Sequence, residues 1–183
     1  HDKAGGEAKA TALSALALAV LAAVRGGWWF MLMPSYAWYL VTALDGLLGL
    51  NGDNPDAETP VARLFWHRAI TVIWFPIQAA VTFWAIWYVT HVAHLGGWEK
   101  LGVFFGLGVM SGTIGMVYAH ELLHQKPGFE RWLGDLLLAS TLYSHFRTEH
   151  LLVHHSWVAT PADAVTARYN EGFYRFFARV LSD

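Results

Sequence analysis

The sequence predicts an all-α polytopic integral membrane protein, a helical bundle with a histidine-box metal site on its cytoplasmic side. Three observations lead to this prediction. The 183 residues are 55% hydrophobic and only 14% charged, with a mean hydropathy of +0.34, whereas soluble domains carry about 25% charged residues. The chain contains four long apolar segments. Five of its ten histidines lie in two short groups after the last of these segments.

The composition excludes several functional classes. Twelve basic residues against fourteen acidic ones give a net charge of −2, which leaves no basic excess for binding nucleic acid. The absence of cysteine excludes a disulfide framework, an iron–sulfur cluster and a thiolate metal site. Histidine and carboxylate side chains therefore remain as the strong metal ligands.

The four apolar segments are interpreted as transmembrane helices. They cover residues 11–24, 28–50, 69–88 and 101–118. A span needs ~20 residues, so the first segment is short. The polar residues 1–10 predict a disordered tail rather than a signal peptide. Two small-residue motifs in the fourth segment, Gly102-x-x-x-Gly106 and Gly108-x-x-x-Gly112, predict close helix contacts.

The distribution of basic residues predicts the orientation of these spans. Four crossings place residues 1–10, the 51–68 loop and everything after about residue 118 on one side, which carries ten of the twelve basic residues. The opposite connectors carry only Arg25 and Lys100. The positive-inside rule therefore predicts a multi-pass membrane protein whose residues 119–183, which include both histidine groups, face the cytoplasm. Within this region, residues 132–147 predict an interfacial or buried helix.

The first histidine group directly follows the fourth apolar segment, without a helix breaker between them. His120 and His124 are four residues apart, so on a helix they share one face and can bind one metal. Together with Glu121 they form an H-E-x-x-H pattern. That pattern alone also suits a zinc protease, with the glutamate as general base.

The second group repeats this arrangement 25 residues later. His150 and His154 are predicted on one face of a helix, with His155 about 100° away, so one helix could address two metal centres. Catalytic zinc needs about three protein ligands, and five histidines exceed that number. The histidine-rich set favours redox iron, and it predicts that Glu121 and Glu149 accept imidazole N–H bonds.

At these residues the chain resembles the membrane di-iron alkane 1-monooxygenases (alkane omega-hydroxylases), within the histidine-box superfamily of membrane fatty acid desaturases and hydroxylases. The family's first box reads H-E-L-x-H-K. His120, Glu121, Leu122 and His124 match it, while Gln125 replaces the usual basic residue. The second box reads E-H-x-x-G-H-H, and it is matched by Glu149, His150, His154 and His155, with Val153 in place of glycine.

The segment after the second box extends the resemblance. Val158-Ala159-Thr160-Pro161-Ala162-Asp163, then Arg168, Glu171 and Tyr174, look like the family's V-A-T-P-x-D…R-x-x-E-x-x-Y signature. The likeness reaches back to Asp45 and the Asn54-Pro55 loop and so covers most of the chain. The family also carries a third histidine box downstream, whereas no histidine follows the second box here. We therefore expect this sequence to be a fragment of a longer polypeptide.

The resemblance implies O2-dependent terminal hydroxylation of medium-chain n-alkanes to primary alcohols at a non-haem site of two iron ions, with O2 as co-substrate. An alkane has no polar group, so it must be held by shape in an apolar tunnel within the bilayer. Trp38, Trp74 and Trp84 are candidates to line that tunnel, although packing roles are the simpler interpretation.

The electron donor implied by analogy is a separate rubredoxin or ferredoxin with its reductase, because a chain without cysteine has no rubredoxin-like site of its own. The cytoplasmic arginines are candidates to dock this acidic carrier. They are Arg147, Arg168, Arg175 and Arg179.

Three further residues are candidates for the surroundings of the metal. Asp45 is an intramembrane acid and so a functional candidate, which can accept a hydrogen bond from a ligand histidine. His145 lies five residues before His150, and Asp163 can either orient His155 or cap the following helix. Three other histidines flank the third span and are interpreted as interfacial. They are His67, His91 and His94.

Three alternatives stay open at this point. One is another superfamily member with a different tunnel, a membrane desaturase or an aromatic-methyl or lipid hydroxylase. The second is an intramembrane zinc metalloprotease built on the H-E-x-x-H pattern. The third is a non-catalytic membrane subunit that retains degenerate boxes.

Overall fold

The computed structural model describes residues 3–48 and 65–182, and every regular element in these two ranges is helical. The chain divides into two compact units, His1–Thr141 and Leu142–Asp183. The predicted all-α fold is therefore confirmed for the described residues. Each unit is described separately below.

Within its described residues, the first unit contains seven α-helices. They are α1 (Lys3–Arg25), α2 (Leu32–Ser35), α3 (Val41–Leu48), α4 (Phe65–His91), α5 (Gly97–Met110), α6 (Met116–Leu123) and α7 (Gly128–Ser140). A 3-10 turn at Gly27–Met31 precedes α2, and a π-turn at Tyr36–Leu40 joins α2 to α3. The composition predicts a disordered tail over 1–10, whereas in the structure α1 already begins at Lys3.

Two helices in the described part of the chain are long and apolar enough to cross a membrane. The first covers Arg68–His91, with Pro76 inside it, and the second covers Gly97–Leu123. A π-turn at Ser111–Gly115 joins α5 to α6, so the second helix is continuous despite the change in its hydrogen bonds. These two helices coincide with the predicted third and fourth spans. The apolar part of α1, Thr11–Arg25, is shorter.

Helices α6 and α7 form the antiparallel hairpin that positions the first histidine group. The chain turns at residues 124–127, and α7 begins at Gly128. Apolar side chains on both helices are buried in this hairpin. They are Leu122, Leu123, Leu133, Leu137 and Leu138. Helix α7 ends at Ser140, so the helix predicted over 132–147 begins earlier and ends earlier than expected.

A buried polar network connects α4 to α7. The Trp74 indole N–H donates to Gln78 Oε1 at 2.7 Å, and Gln78 Nε2 donates to Ser140 Oγ at 3.1 Å. A Cβ at Gly115 would lie 2.6 Å from Gln78 Oε1. A buried amide is costly unless it is hydrogen-bonded, so these partners fix the position of the Gln78 side chain.

The two small-residue motifs of the second spanning helix have different surroundings. A Cβ at Gly102 would overlap the Phe30 ring, and one at Gly106 would lie 3.4 Å from Met33 Cβ. The first motif therefore makes the close contact that the sequence predicts. Among the described residues, no atom comes within 4 Å of the corresponding positions in the second motif, Gly108-x-x-x-Gly112.

This difference predicts opposite effects for two alanine substitutions on the same helix. We expect Gly102→Ala to lower stability by about 1–3 kcal/mol, because the added methyl group overlaps Phe30. Gly108→Ala should be neutral or stabilising, because it meets open space and alanine favours the helix. Thermal unfolding followed by circular dichroism in detergent measures both variants. Equal unfolding midpoints for the two variants would contradict the packing described here.

The second unit consists of short helical elements joined by turns. They are α8 (Phe146–Thr148), a π-turn (Glu149–His154), α9 (His155–Trp157) and α10 (Phe173–Val180). Because α8, the π-turn and α9 follow one another directly, the second histidine group lies on one continuous helical segment. A tight turn follows, in which Ala159 has a positive φ of 65°.

Candidate metal centre

The first histidine group lies at the C-terminal end of α6. His120 is in the last turn of the helix, and His124 directly follows it. Their Nε2 atoms are 3.3 Å apart and their ring centroids 4.8 Å apart. The predicted pairing of residues four apart on one helix face is therefore present in the structure.

The second group pairs differently from the sequence expectation. The Nε2 atoms of His150 and His155 are 3.1 Å apart, whereas the expected partners were His150 and His154. The cause is the π-turn at Glu149–His154, which places residues five apart on one face. His154 instead stacks on His150, with ring centroids 5.5 Å apart.

His154 is oriented by an acidic partner. Its Nδ1 lies 2.8 Å from Oδ2 of Asp163, whose side chain is only 1% exposed. A carboxylate only accepts hydrogen bonds, so the N–H of this imidazole must be on Nδ1. The lone pair of Nε2 is then available to a metal. Asp163 thus contacts a histidine of the second box, His154 rather than His155, and its role in orienting a metal ligand stays a prediction.

The carboxylate of Asp163 is itself held in place. Thr166 Oγ1 donates to Oδ2 at 2.5 Å, and the N–H of Val165 donates to Oδ1 at 3.2 Å. Burial opposes ionisation of this carboxyl, but the hydrogen bonds from Thr166, His154 and Val165 outweigh it and lower its pKa. The group therefore remains an anion that accepts the imidazole N–H.

The donor set fits a metal ion. Two imidazole nitrogens bound to one metal at about 2.1 Å, with an angle between 90° and 109°, lie about 3.0–3.4 Å apart. The observed separations of 3.3 Å and 3.1 Å lie in this range. With His154 included, the boxes offer five imidazoles and no thiolate, which suits iron, copper or zinc.

Residues 96–183 match the model of the fatty acid desaturase family. Residues 96–183, just under half of the chain, are therefore similar to the fatty acid desaturases. Curated relatives include alkane 1-monooxygenase 1 of Alcanivorax borkumensis, 36% identical over 85% of this chain, and alkane 1-monooxygenase 2 of Pseudomonas aeruginosa, 31% identical over 81%. The chain spans 39% and 40% of the length of these relatives. The resemblance found in the sequence is confirmed.

The two box glutamates contact side chains other than the proposed ligand histidines in the structure. Glu121 Oε1 accepts from Gln125 Nε2 at 3.1 Å. Glu149 Oε1 lies 3.9 Å from Nε2 of His145, an exposed residue whose ring packs edge-on to Tyr143. The proposed hydrogen bonds from ligand imidazoles to the two glutamates stay predictions.

The three tunnel tryptophans occupy different environments. Trp74 is fully buried and packs edge-on against Tyr118, with ring centroids 5.5 Å apart. Trp84 stacks on Tyr88, and Trp38 is half exposed beside Phe105. These contacts agree with packing roles, and the tunnel assignment stays a prediction.

Several other candidates lie away from the boxes or outside the described residues. The His91 ring stacks on Trp87, and His94 Nε2 lies 3.1 Å from the carbonyl oxygen of Val24. Both histidines are exposed, His91 at the end of α4 and His94 in the connector to α5, as expected for interfacial residues. The side chains of Asp45 and His67 and the 51–64 part of the loop lie outside the described residues.

Sequence reasoning missed the ion pair that organises the end of the second unit. Arg179 donates from Nε and Nη2 to both oxygens of Glu171 at 2.9 and 2.8 Å. Its other bonds go to the carbonyl oxygens of Ala164 and Thr166. This arginine is only 12% exposed and stabilises the unit, and its docking role stays a prediction. The R-x-x-E motif drew attention to Glu171 in the sequence, but it did not reveal that the partner of this glutamate is Arg179, eight residues later.

This ion pair predicts an acid-sensitive structure in the second unit. Hydrogen bonds from the Arg179 side chain and the Arg168 N–H lower the pKa of Glu171 from 4.5 to about 2. Because the folded-state pKa is depressed, the stabilisation is complete above about pH 4.5 and disappears as the pH falls to about 2. Carboxyl 13C NMR should show Glu171 titrating near 2, and near its ordinary value in Arg179→Gln. Titration of the wild-type group near 4.5 would contradict the ion pair.

Proposed function

We propose that this chain provides histidine ligands of a non-haem di-iron monooxygenase, which hydroxylates the terminal carbon of medium-chain n-alkanes. The observation that carries the proposal is the separation of imidazole nitrogens within each box, 3.3 Å in the first and 3.1 Å in the second. The family match over residues 96–183 and the relatives named alkane 1-monooxygenase support the same reaction class.

The histidines of the two boxes and the polar side chains around them have different roles in this proposal. His120, His124, His150, His154 and His155 are the metal ligands. Asp163 fixes the tautomer and ring direction of His154, and Thr166 holds that carboxylate. Two iron ions held there would supply the activation of O2 and the oxidation of an unactivated C–H bond, which amino-acid side chains cannot perform.

The apolar character of the first unit supports a substrate drawn from the membrane. Two of its helices are long and apolar enough to span a bilayer, and an alkane dissolves in the same lipid. We extend the proposal to four spans in the inner membrane, with the boxes on the cytoplasmic side, where a rubredoxin or ferredoxin can deliver electrons. The arrangement of the two units in the membrane is likewise proposed.

A hydroxylation assay tests the proposed function. The full-length protein, reconstituted in phospholipid with iron, a rubredoxin and its reductase, should convert n-octane into 1-octanol, with His150→Ala inactive. His91→Ala is the matched control, because this exposed histidine lies outside both boxes. An unsaturated product would identify a desaturase instead. An iron-loaded protein that makes no product, or a protein that binds one zinc and cleaves peptides, would overturn the proposal.

A further inference from the structure

Gln78 is a buried amide in the middle of α4, outside both histidine boxes, and it is only 2% exposed. Its Oε1 accepts the Trp74 indole N–H at 2.7 Å, and its Nε2 donates to Ser140 Oγ at 3.1 Å. The Ser140 hydroxyl donates in turn to the carbonyl oxygen of Leu137 at 2.6 Å. Because a buried amide is costly without its partners, this network holds the Gln78 side chain between α4 and α7.

The Gln78 amide faces the π-turn that joins α5 to α6. In this turn the N–H of Met116 donates to the carbonyl oxygen of Ser111, five residues earlier, so the turn contains one residue more than a regular α-helical turn. One residue corresponds to a rotation of about 100° around the helix axis. Helix α6, with His120 and His124 at its end, is therefore rotated by about 100° relative to a regular continuation of α5.

Only glycine fits opposite the amide. A Cβ at Gly115 would lie 2.6 Å from Gln78 Oε1 and 3.2 Å from Gln78 Nε2. A regular continuation of α5 would place Ile114 where Gly115 now lies. The branched side chain of isoleucine would then overlap an amide that two hydrogen bonds hold in place. The fixed amide thus excludes the regular helix and selects the π-turn.

The helices on both sides of the π-turn are held by packing. The first small-residue motif of α5 packs against Phe30 and Met33, which keeps α5 from rotating. In α6, Ala119 and Leu122 are fully buried, whereas His120 is exposed. The π-turn therefore determines which face of α6 is buried and leaves the first histidine pair on the exposed face.

We infer that Gln78 is a positioning residue of the first histidine pair. Its amide fixes the π-turn, and the π-turn sets the direction in which His120 and His124 leave the helix. Gln78 thus acts through the helix backbone. The inference rests on the proposed function only in taking these two histidines as metal ligands.

Thiol labelling of the metal-free, full-length protein in detergent tests this role. Residues 1–183 contain no cysteine, and any cysteine outside them is replaced by serine. Single probes are Glu121→Cys, at an exposed position, and Ala119→Cys, at a buried one. Without the π-turn, position 121 moves to the buried place of Leu122, and position 119 moves to the exposed place of His120. A buried thiol reacts slowly, so Gln78→Ala should slow N-ethylmaleimide labelling at 121 and accelerate it at 119, each about tenfold.

The opposite signs separate rotation of α6 from a general loss of stability, which would accelerate labelling at both positions. The matched control is Thr71→Val, because Thr71 is a second buried polar residue of α4 whose hydroxyl donates within its own helix. This control should leave both labelling rates unchanged. Unchanged rates in Gln78→Ala, or acceleration at both positions, would overturn the inference.

A second measurement remains informative if Gln78→Ala folds poorly with the thiol probes. Gly115→Ala should lower the thermal unfolding midpoint when Gln78 is present, because the added methyl group meets the amide. The loss should be much smaller in the Gln78→Ala background, and equal losses in both backgrounds would overturn the inference. Neither test requires iron, so both can succeed even if the wild-type protein makes no alcohol. If Gln78→Ala keeps wild-type iron affinity and alcohol formation, the proposed function stands and the positioning role fails.

Discussion

Replacing His155 with alanine is expected to abolish alkane hydroxylation and to remove iron. This imidazole is paired with His150 at 3.1 Å through the π-turn, so its loss leaves the partner without the second nitrogen of a chelating pair. Loss of a residue that merely orients a ligand costs about 10–100-fold in metal affinity, and loss of the ligand should cost at least that. Iron content by plasma mass spectrometry and 1-octanol formation measure the effect.

The control for this variant is His91→Ala, whose ring stacks on Trp87 at the end of α4. It should keep the wild-type iron content. A His155→Ala protein that retains full iron and full activity would show that the observed pairing is not part of a metal site. Circular dichroism before metal analysis separates loss of iron from loss of fold.

Replacing Asp163 with alanine is expected to lower iron affinity by about 10–100-fold without removing a ligand. The substitution removes the acceptor of the His154 N–H, so the ring loses both its fixed tautomer and its direction. Asp163→Asn keeps an acceptor oxygen and should recover part of the affinity. Titration of Fe(II) against a competing chelator gives the dissociation constants.

Two further results decide how Asp163 acts. Thr166→Val removes the hydroxyl that donates to this carboxylate but leaves the contact between Asp163 and His154, so its effect should be smaller. If the alanine variant binds iron as tightly as the wild type, the role of Asp163 is only to stabilise the turn. If Asp163→Ala and Asp163→Asn lower the iron affinity equally, the acceptor oxygen that asparagine retains does not contribute to metal binding.

Local periodicity predicted the first half of the site. His120 and His124 are four apart in a regular helix, and their pairing follows from helical geometry alone. The hairpin turn before α7 was also predictable, because proline and glycine occur together at Pro127 and Gly128.

The geometry of the second histidine group depends on two structural features that the sequence does not reveal. The π-turn at Glu149–His154 shifts the helix register by one residue, which replaces His154 by His155 as the partner of His150. The turn after α9, with Ala159 at a positive φ, brings Asp163 back to His154. Both features depend on backbone geometry that residue type alone does not specify.

The small-residue motifs show the same limit in the spanning helix. Both have the spacing that permits close approach, but only Gly102 and Gly106 face side chains in the described residues. The glycine spacing in the sequence shows where another segment can pack closely against this helix. The neighbouring side chains determine at which of these positions the close contact forms.

The most direct measurement of the central claim is metal content combined with X-ray absorption spectroscopy of the purified full-length protein. We predict about two iron atoms per chain, with an absorption spectrum typical of imidazole nitrogen ligands, and loss of iron in His124→Ala and His155→Ala. One zinc atom and no iron, or iron without imidazole ligands, would contradict the proposal that these histidines hold a di-iron site.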